Sequence, residues 1–303
     1  MGTNRLAAWW QILRAGNSFT AASNVVAGAA VAGGFDVGSG ESWLPLILLI
    51  VASVMLYEAG MVLNDRFDIE QDRRQRPRRP IPSGRITPRA ALCVGLLLLG
   101  GGVLVACLAG WIIHSSTPAV IGILLALSVV AYDGGLKKWW CGPLVMGVCR
   151  MLNVLLGASL AVPWQSAPWL IALAIGTYTV GLTWFARSEA RTSPRRDLMV
   201  GSIFALVGLA LVAMLPLVSS IHLACGPWTL LWIGIMGWVA SACWRAMGDP
   251  SPKFVQAGVI RMIVLFVVID AVLCLARVGP GMALVILSLL IPMRLASRWA
   301  PMT

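Results

Sequence analysis

Charge is scarce in this sequence. Asp, Glu, Lys and Arg together make up 12% of its 303 residues, against about 25% in a soluble globular domain. Hydrophobic residues account for 59% and mean hydropathy is +0.85, which excludes a water-soluble fold and implies an integral membrane protein. Sulfur and imidazole metal sites are missing as well. The seven cysteines (Cys93, Cys107, Cys141, Cys149, Cys225, Cys243 and Cys274) form no CxxC pair and lie mostly in apolar runs, so they read as small buried hydrophobes. Only two histidines are present, His114 and His222; they fall in separate connections and receive no role. No 20–50-residue repeat is apparent. The first apolar run lacks the compact layout and small-residue cleavage site of a signal peptide, so it counts as a true span.

What is there is a series of apolar runs. Stretches long enough to cross roughly 30 Å of hydrocarbon as helix lie near 18–34, 43–64, 89–113, 116–132, 142–162, 167–187, 198–219, 226–244, 257–277 and 281–297. The connections alternate in character: 35–42, 114–117, 163–167 and 220–225 hold no lysine or arginine. Basic residues fill the N-terminus (Arg5, Arg14), 65–89, 133–141, 187–197, 245–256 and the C-terminus (Arg294, Arg298), with Arg277 the one exception. By the positive-inside rule both termini and every charged loop face the cytoplasm. An even number of spans follows, and ten fits. The formal charge of +11 therefore reflects topology, and no nucleic-acid partner is expected. Many of the fourteen tryptophans sit at span ends, where interfacial anchoring accounts for them.

Most of the remaining charge is concentrated in LNDRFDIEQDRRQRPRRPIPSGRIT, residues 63–87. On a helix Asn64, Asp68 and Asp72 share a face, with Asp65 beside them. Carboxylates stacked one turn apart repel, and at a membrane boundary the cost grows. A hard divalent cation removes the repulsion, since Mg²⁺ takes one or two carboxylates and completes its shell with water and substrate phosphate. The eight arginines from Arg66 to Arg89 have two readings. They fork onto phosphate oxygens, or they are inside-positive anchors. Glu58, seven residues before Asp65 on the same side, is either a functional group in the membrane or a protonated carboxyl packed between helices.

These residues carry a resemblance. NDRFDIEQD followed by RPIPSGRIT is similar to the NDxxDxxxD motif and RP…G tail of the UbiA superfamily of intramembrane prenyltransferases. ILRAGNSFTAASNVVAGA (12–29) resembles that family's first span, with Asn17 as its asparagine, and AYDGGLKK (131–138) its Tyr…Lys element. The resemblance implies an all-α, polytopic transmembrane helical bundle of nine to ten spans, in a single domain over 1–303. Its central cavity would open near the cytoplasmic face of the cell membrane, with membrane lipids around it. It implies Mg²⁺ held by Asn64, Asp68 and Asp72, with Glu189 a further metal ligand, and a prenyl diphosphate donor. Asp68, Asp72 and Lys137 would be catalytic. Asn17, Arg74, Arg79 and Tyr132 would bind substrate, and the allylic cation would alkylate an aromatic or lipid acceptor.

The sequence departs from the family in three places. The second acidic motif, typically DxxxD, is reduced to Glu189 in TWFARSEARTSPRRD, and Asp197 eight residues on reads as a helix start; an acid there favours the helix dipole. The Tyr132-to-Lys137 spacing is one residue longer than usual, while Asp133 and Lys137 are i, i+4. MGVCRMLNVLLG (146–157) places Arg150 and Asn153 on one face of the fifth span. Arg150 either pairs with Glu58 or Asp270 to hold the bundle, or binds an anionic group of the substrate together with Asn153. Asp270, mid-span in LFVVIDAVL, reads as a structural hydrogen-bonding group. YDxxLK with GxxRxxNxLLG is similar to the UbiA-like proteins of bacterial Ebo clusters, which points away from an ordinary quinone precursor as acceptor. The competing function is a lipid or precursor carrier that keeps the diphosphate pocket with weak or no chemistry.

Overall fold

The computed structural model describes residues 2–33, 43–219 and 225–297. The chain runs through α1 (Gly2–Leu13), α2 (Ala15–Ala32), α3 (Trp43–Phe67), α4 (Ile69–Gln75), α5 (Pro88–Ile112), α6 (Thr117–Asp133) and α7 (Gly142–Ala158). It continues with α8 (Ser166–Phe185), α9 (Arg195–Ala213), α10 (Leu215–Val218), α11 (Cys225–Gly248), α12 (Pro252–Arg277), α13 (Pro280–Ser288) and α14 (Leu290–Ser297). No strand occurs among the described residues. His222, Arg298, Trp299, the whole 35–42 connection and residues 220–224 of the 220–225 connection lie outside them.

Every expected apolar run is helical. Six helices are long and apolar enough to cross a membrane, namely α3, α5, α8 with its following turn, α9, α11 and α12; three shorter apolar stretches cover 117–133, 142–158 and 280–296. The remaining run, the first in the chain, is α2, whose polar residues lower its hydropathy yet whose side chains from Ser23 to Val31 are all buried. It packs against α3, α7 and α12. Three details differ from the sequence expectation. The last run is broken into α13 and α14, the seventh ends at Ala213 before the short α10, and α12 begins five residues early at Pro252. Proline opens α12 because its missing N–H would be unpaired in a first turn anyway.

Small residues set how closely the central helices approach. A Cβ added at Gly28 of α2 would overlap the Val154 carbonyl oxygen, and one at Gly157 of α7 would overlap that of Val25. The two backbones therefore touch at both positions, the close crossing that small residues permit in lipid.

A second, smaller core lies at the end that carries the acidic motif. Ala8 and Ile12 of α1, Val62, Ile69, and Ile81 and Ile86 of the 76–87 loop pack together with Ala91. Arg85 ties this loop to α1 by donating to Gln11 Oε1 at 3.2 Å, and Thr87 caps α5 by accepting from the Ala90 amide. The loop after the motif is thus folded back over it.

Candidate functional site

The motif keeps one face although the helix is interrupted. Asp68 separates α3 from α4, yet its amide still donates to the Asn64 carbonyl (3.0 Å) and its carbonyl accepts from the Asp72 amide (2.8 Å). The i, i+4, i+8 register therefore continues through the break. Asn64, Asp68 and Asp72 all line a cavity of about 730 Å³ bounded by α2, α3, α6, α7, α8 and α12.

Three carboxylates of the motif, Asp65, Asp68 and Asp72, have cationic partners. Lys137 Nζ lies 2.8 Å from Asp68 Oδ1 and donates to Asn64 Oδ1 at 2.8 Å. Arg79 Nη1 contacts Asp72 Oδ2 at 2.7 Å and Asp65 Oδ1 at 3.2 Å. Arg14 approaches Asp65 from α2's N-terminal boundary at 3.5 Å. Asp65 and Asp72 are buried, so these are contacts in a medium where charge interactions are stronger than in water.

Of the residues the sequence singled out, Asn17, Asn64, Asp68, Asp72, Arg79, Tyr132, Lys137, Arg150, Asn153 and Glu189 all border the cavity. Arg74 does not. It is exposed on α4, two residues and hence roughly 200° around the helix from Asp72. Arg76 borders the cavity in its place. Sequence reasoning also missed Arg14, Arg187 and Lys138, which line the mouth, and gave no role to Asp133, which lines it too. The i, i+4 spacing of Asp133 to Lys137 was the one available signal.

Glu189 follows α8 and is the lone acid on that side. Its Oε2 is buried without a hydrogen-bond partner. Burial pushes its carboxyl above the ordinary glutamate range, against the lowering influence of Arg76 and Arg14. An orphaned carboxylate oxygen beside the cavity suits a bound cation. Asp197 lies in the first turn of α9.

The donor set fits Mg²⁺ of one particular kind. No group of three or more His, Cys, Asp or Glu side chains gathers closely enough to cage a metal among the described residues. Two carboxylates and an amide oxygen on one helical face remain, the hard-oxygen set that holds Mg²⁺ jointly with water and phosphate.

Deeper in the cavity the polar side chains are differently engaged. Asn153 donates to the Ala21 carbonyl at 2.9 Å and accepts from Ser53 at 2.5 Å. Arg150 donates to Thr20 at 2.8 Å and to Asn24 Oδ1 at 3.1 Å; it pairs directly with neither Glu58 nor Asp270. Asp270 is fully buried and accepts from Ser23 at 2.5 Å and from Asn24 at 2.7 Å, the structural role expected of it. Glu58 is absent from the cavity lining and accepts a hydrogen bond from Ser18.

A helical membrane bundle whose cavity mouth pairs stacked carboxylates with lysine and arginine has the groups to take up a polyanion together with a divalent cation. The UbiA prenyltransferase family model matches residues 23–257, and the chain belongs to that family. Digeranylgeranylglyceryl phosphate synthase of Natronomonas pharaonis is 27% identical over 85% of this chain and 95% of its own length. The enzyme of the same name from Methanoregula boonei is 38% identical over 39% of this chain and 40% of its own. Among solved structures, a UbiA homologue from Archaeoglobus fulgidus bound to GPP and Mg²⁺ superposes with a TM-score of 0.66 at 13% identity, covering 93% of this chain and 99% of that one. The apo UbiA homologue from Aeropyrum pernix K1 gives 0.62 at 18% identity, covering 84% and 97%. At these identities the structures establish the shared fold.

Proposed function

We propose that this chain, acting as a single domain over residues 1–303, is a Mg²⁺-dependent transferase that moves a prenyl group from a prenyl diphosphate to an aromatic or lipid acceptor within the membrane. The observation that carries this reading is the shared face of Asn64, Asp68 and Asp72 at the mouth of an intramembrane cavity, clamped by Lys137 and Arg79.

Asn64, Asp68 and Asp72 would hold Mg²⁺, with Glu189 as a further ligand across the mouth. A metal held there would supply positive charge opposite the leaving diphosphate. Lys137 and Arg79 already sit on the motif carboxylates, so a diphosphate held at those carboxylates would lie beside both cations. As the allylic carbon–oxygen bond breaks, the electron pair leaves with the diphosphate, and these preorganised cations stabilise it in a water-poor site. Asn17 and Tyr132 line the same cavity and would help position the donor. Below the mouth, Leu56, Met61, Leu125, Val129, Met146, Val259 and Ile263 line the wall, apolar surface that keeps water from the allylic cation. The positive-inside pattern supports a cytoplasmic mouth, with both termini and the charged loops on that side.

The test uses purified protein in lipid nanodiscs, Mg²⁺ and labelled prenyl diphosphates of graded length, with and without aromatic and glycerophosphate acceptors. Pyrophosphate release that disappears in Asp68→Asn and Asp72→Asn is expected. Tight binding without turnover for every donor overturns the enzyme reading in favour of a lipid carrier.

A further inference from the structure

We propose that Asp133 is the proton acceptor of the transfer step, and that the acceptor presents a hydroxyl group, of an alcohol or a phenol, to its carboxylate. The inference rests on the prenyl-transfer reading and extends it to the chemistry of the acceptor's reacting group.

Asp133 lines the cavity and is only 4% exposed. Among the described residues its carboxylate accepts no hydrogen bond and has no cationic side chain within 4 Å. The lysine four positions on stands where a partner would, but the Lys137 ammonium goes to Asp68 and to Asn64, both at 2.8 Å. Local structure gives no other reason for an acid here. Asp133 is the last residue of α6, where a negative charge opposes the helix dipole, and a buried carboxylate without a partner costs stability. A metal cage does not account for it, since no three His, Cys, Asp or Glu side chains gather closely enough among the described residues.

Its position is where a base is needed. Leu125, Val129 and Asp133 stand i, i+4 and i+8 on α6, and all three border the cavity, so this face is an apolar wall that ends in one carboxylate. A Cβ added at Gly60 of α3 would come 3.2 Å from Val129 Cγ1, so α3 and α6 cross there. Both helices run toward the mouth. One turn on, Asn64 on α3 and Asp133 on α6 stand level, and Asp68 lies a further turn out, roughly 6 Å along the axis. On the inner side, the charge of Asp133 is felt at Cys149, seven residues into α7. The carboxylate therefore lies between the charged mouth and the apolar chamber, the level at which a donor's reacting carbon meets its acceptor.

The step balances with this one group. The donor's C1–O bond breaks and its electron pair leaves on the diphosphate. With an alcohol, an oxygen lone pair forms the new bond to C1; with a phenol, a ring π pair forms it. In both the O–H bond breaks, its electrons stay on the acceptor, and its proton passes to Asp133, which returns it to solvent at the mouth as product leaves. An unpaired carboxylate suits this role because it accepts the hydroxyl's hydrogen bond beforehand, and no water has to enter the chamber to take the proton.

The experiment has two arms, both on nanodisc protein with empty nanodiscs as blank. In the first, Mg²⁺ and inorganic pyrophosphate fill the mouth while calorimetry follows 4-pentylphenol, monooleoylglycerol and the O-methylated form of each. At least one hydroxyl probe should bind about tenfold tighter than its methyl ether. Asp133→Ala should abolish that preference, while neither melting temperature nor Mg²⁺–pyrophosphate affinity falls. In the second arm labelled geranyl diphosphate replaces pyrophosphate. Asp133→Ala should slow prenylation of the bound probe about a hundredfold, and millimolar formate should restore part of the rate by standing in for the lost carboxylate. Asp133→Asn, equal in size but uncharged, should be as slow, and carries the test if the alanine variant does not fold. No hydroxyl preference in the parent, a preference that survives Asp133→Ala, or a slowed Asp133→Ala that formate does not rescue overturns the proposal. So does weaker Mg²⁺–pyrophosphate binding in either variant, which a metal ligand requires. A parent protein that releases no pyrophosphate from any donor defeats the transferase reading and the base with it; prenylation that both variants leave at the parent rate defeats the base alone.

Discussion

Arg79→Ala tests the electrostatics of the mouth most directly. Arg79 contacts Asp72 at 2.7 Å and Asp65 at 3.2 Å, and its side chain is only 18% exposed. At an effective dielectric of about 20 these contacts have gross attractions of about 6 and 5 kcal/mol, most of it offset by desolvation. Removing one partner of a buried pair typically costs about 3–5 kcal/mol. Arg14 remains beside Asp65 at 3.5 Å, so the lower figure, about 3 kcal/mol, is expected. A ligand that binds only the folded state at a hundred times its Kd restores about 2.7 kcal/mol. In EDTA the variant should therefore melt well below the parent protein, and Mg²⁺ should recover most of the difference. The parent should gain less, because there Mg²⁺ must displace Arg79 as well as Lys137, whereas the variant leaves only Lys137 in its way. Adding Asp72→Asn to Arg79→Ala should give a loss smaller than the single variants sum to, since both act on one contact. The reasoning fails if Arg79→Ala melts normally in EDTA, or if Mg²⁺ stabilises both proteins equally.

Other consequences are open to shorter tests. Lys137→Met removes the cation shared by Asn64 and Asp68; kcat/KM for the donor should fall about a hundredfold, equivalent to ~2.7 kcal/mol, with a small change in melting because Asp68 is partly exposed. Gly28→Ala places a methyl group on the Val154 carbonyl and should destabilise by about 1–3 kcal/mol, read as a lower melting temperature in detergent. Asp270→Leu strips Ser23 and Asn24 of their acceptor; a loss of about 3 kcal/mol or more is expected, and unchanged melting would show the cluster to be dispensable. Calorimetry should find Mg²⁺ binding weak alone and tighter with pyrophosphate, with pyrophosphate binding tightened by Mg²⁺ to the same degree.

The bundle was legible because lipid imposes one length on every span, and runs such as 43–64 and 89–113 carry hardly any charge to blur it. α1 was not, because a short amphipathic helix with Trp9, Trp10 and Gln11 looks like any basic N-terminus until Ala8 and Ile12 find Ile81 and Ile86. The acidic face was readable from spacing alone, since helical register is local. Its cations were only half readable. Arg74 and Arg79 stand equally well in the sequence, but the 76–87 loop folds back, so Arg79 reaches Asp65 fourteen positions earlier while Arg74 points outward. Arg14 and Arg187 join the mouth through helix packing, and no sequence interval announces that; Asp133 alone was marked, by its spacing to Lys137.

The balance of charge around the cavity ties these pieces together. Six cationic side chains, Arg14, Arg76, Arg79, Lys137, Lys138 and Arg187, line the mouth with four carboxylates, Asp68, Asp72, Asp133 and Glu189. That surplus of positive charge opposes a bare divalent ion and favours a polyanion, although the carboxylates alone are a metal site in chemistry. A diphosphate bound there would reverse the local sign, drawing the cations onto its oxygens and freeing Asp68 and Asp72 from Lys137 and Arg79. Metal and diphosphate then each remove the obstacle to the other, which is why their binding should be coupled. Arg150 lies outside this exchange, too deep to take part. It bonds instead to Thr20 and Asn24 and meets the charge of Asp270 across Asn24, so it belongs to the packing of α2, α7 and α12 and not to the balance at the mouth.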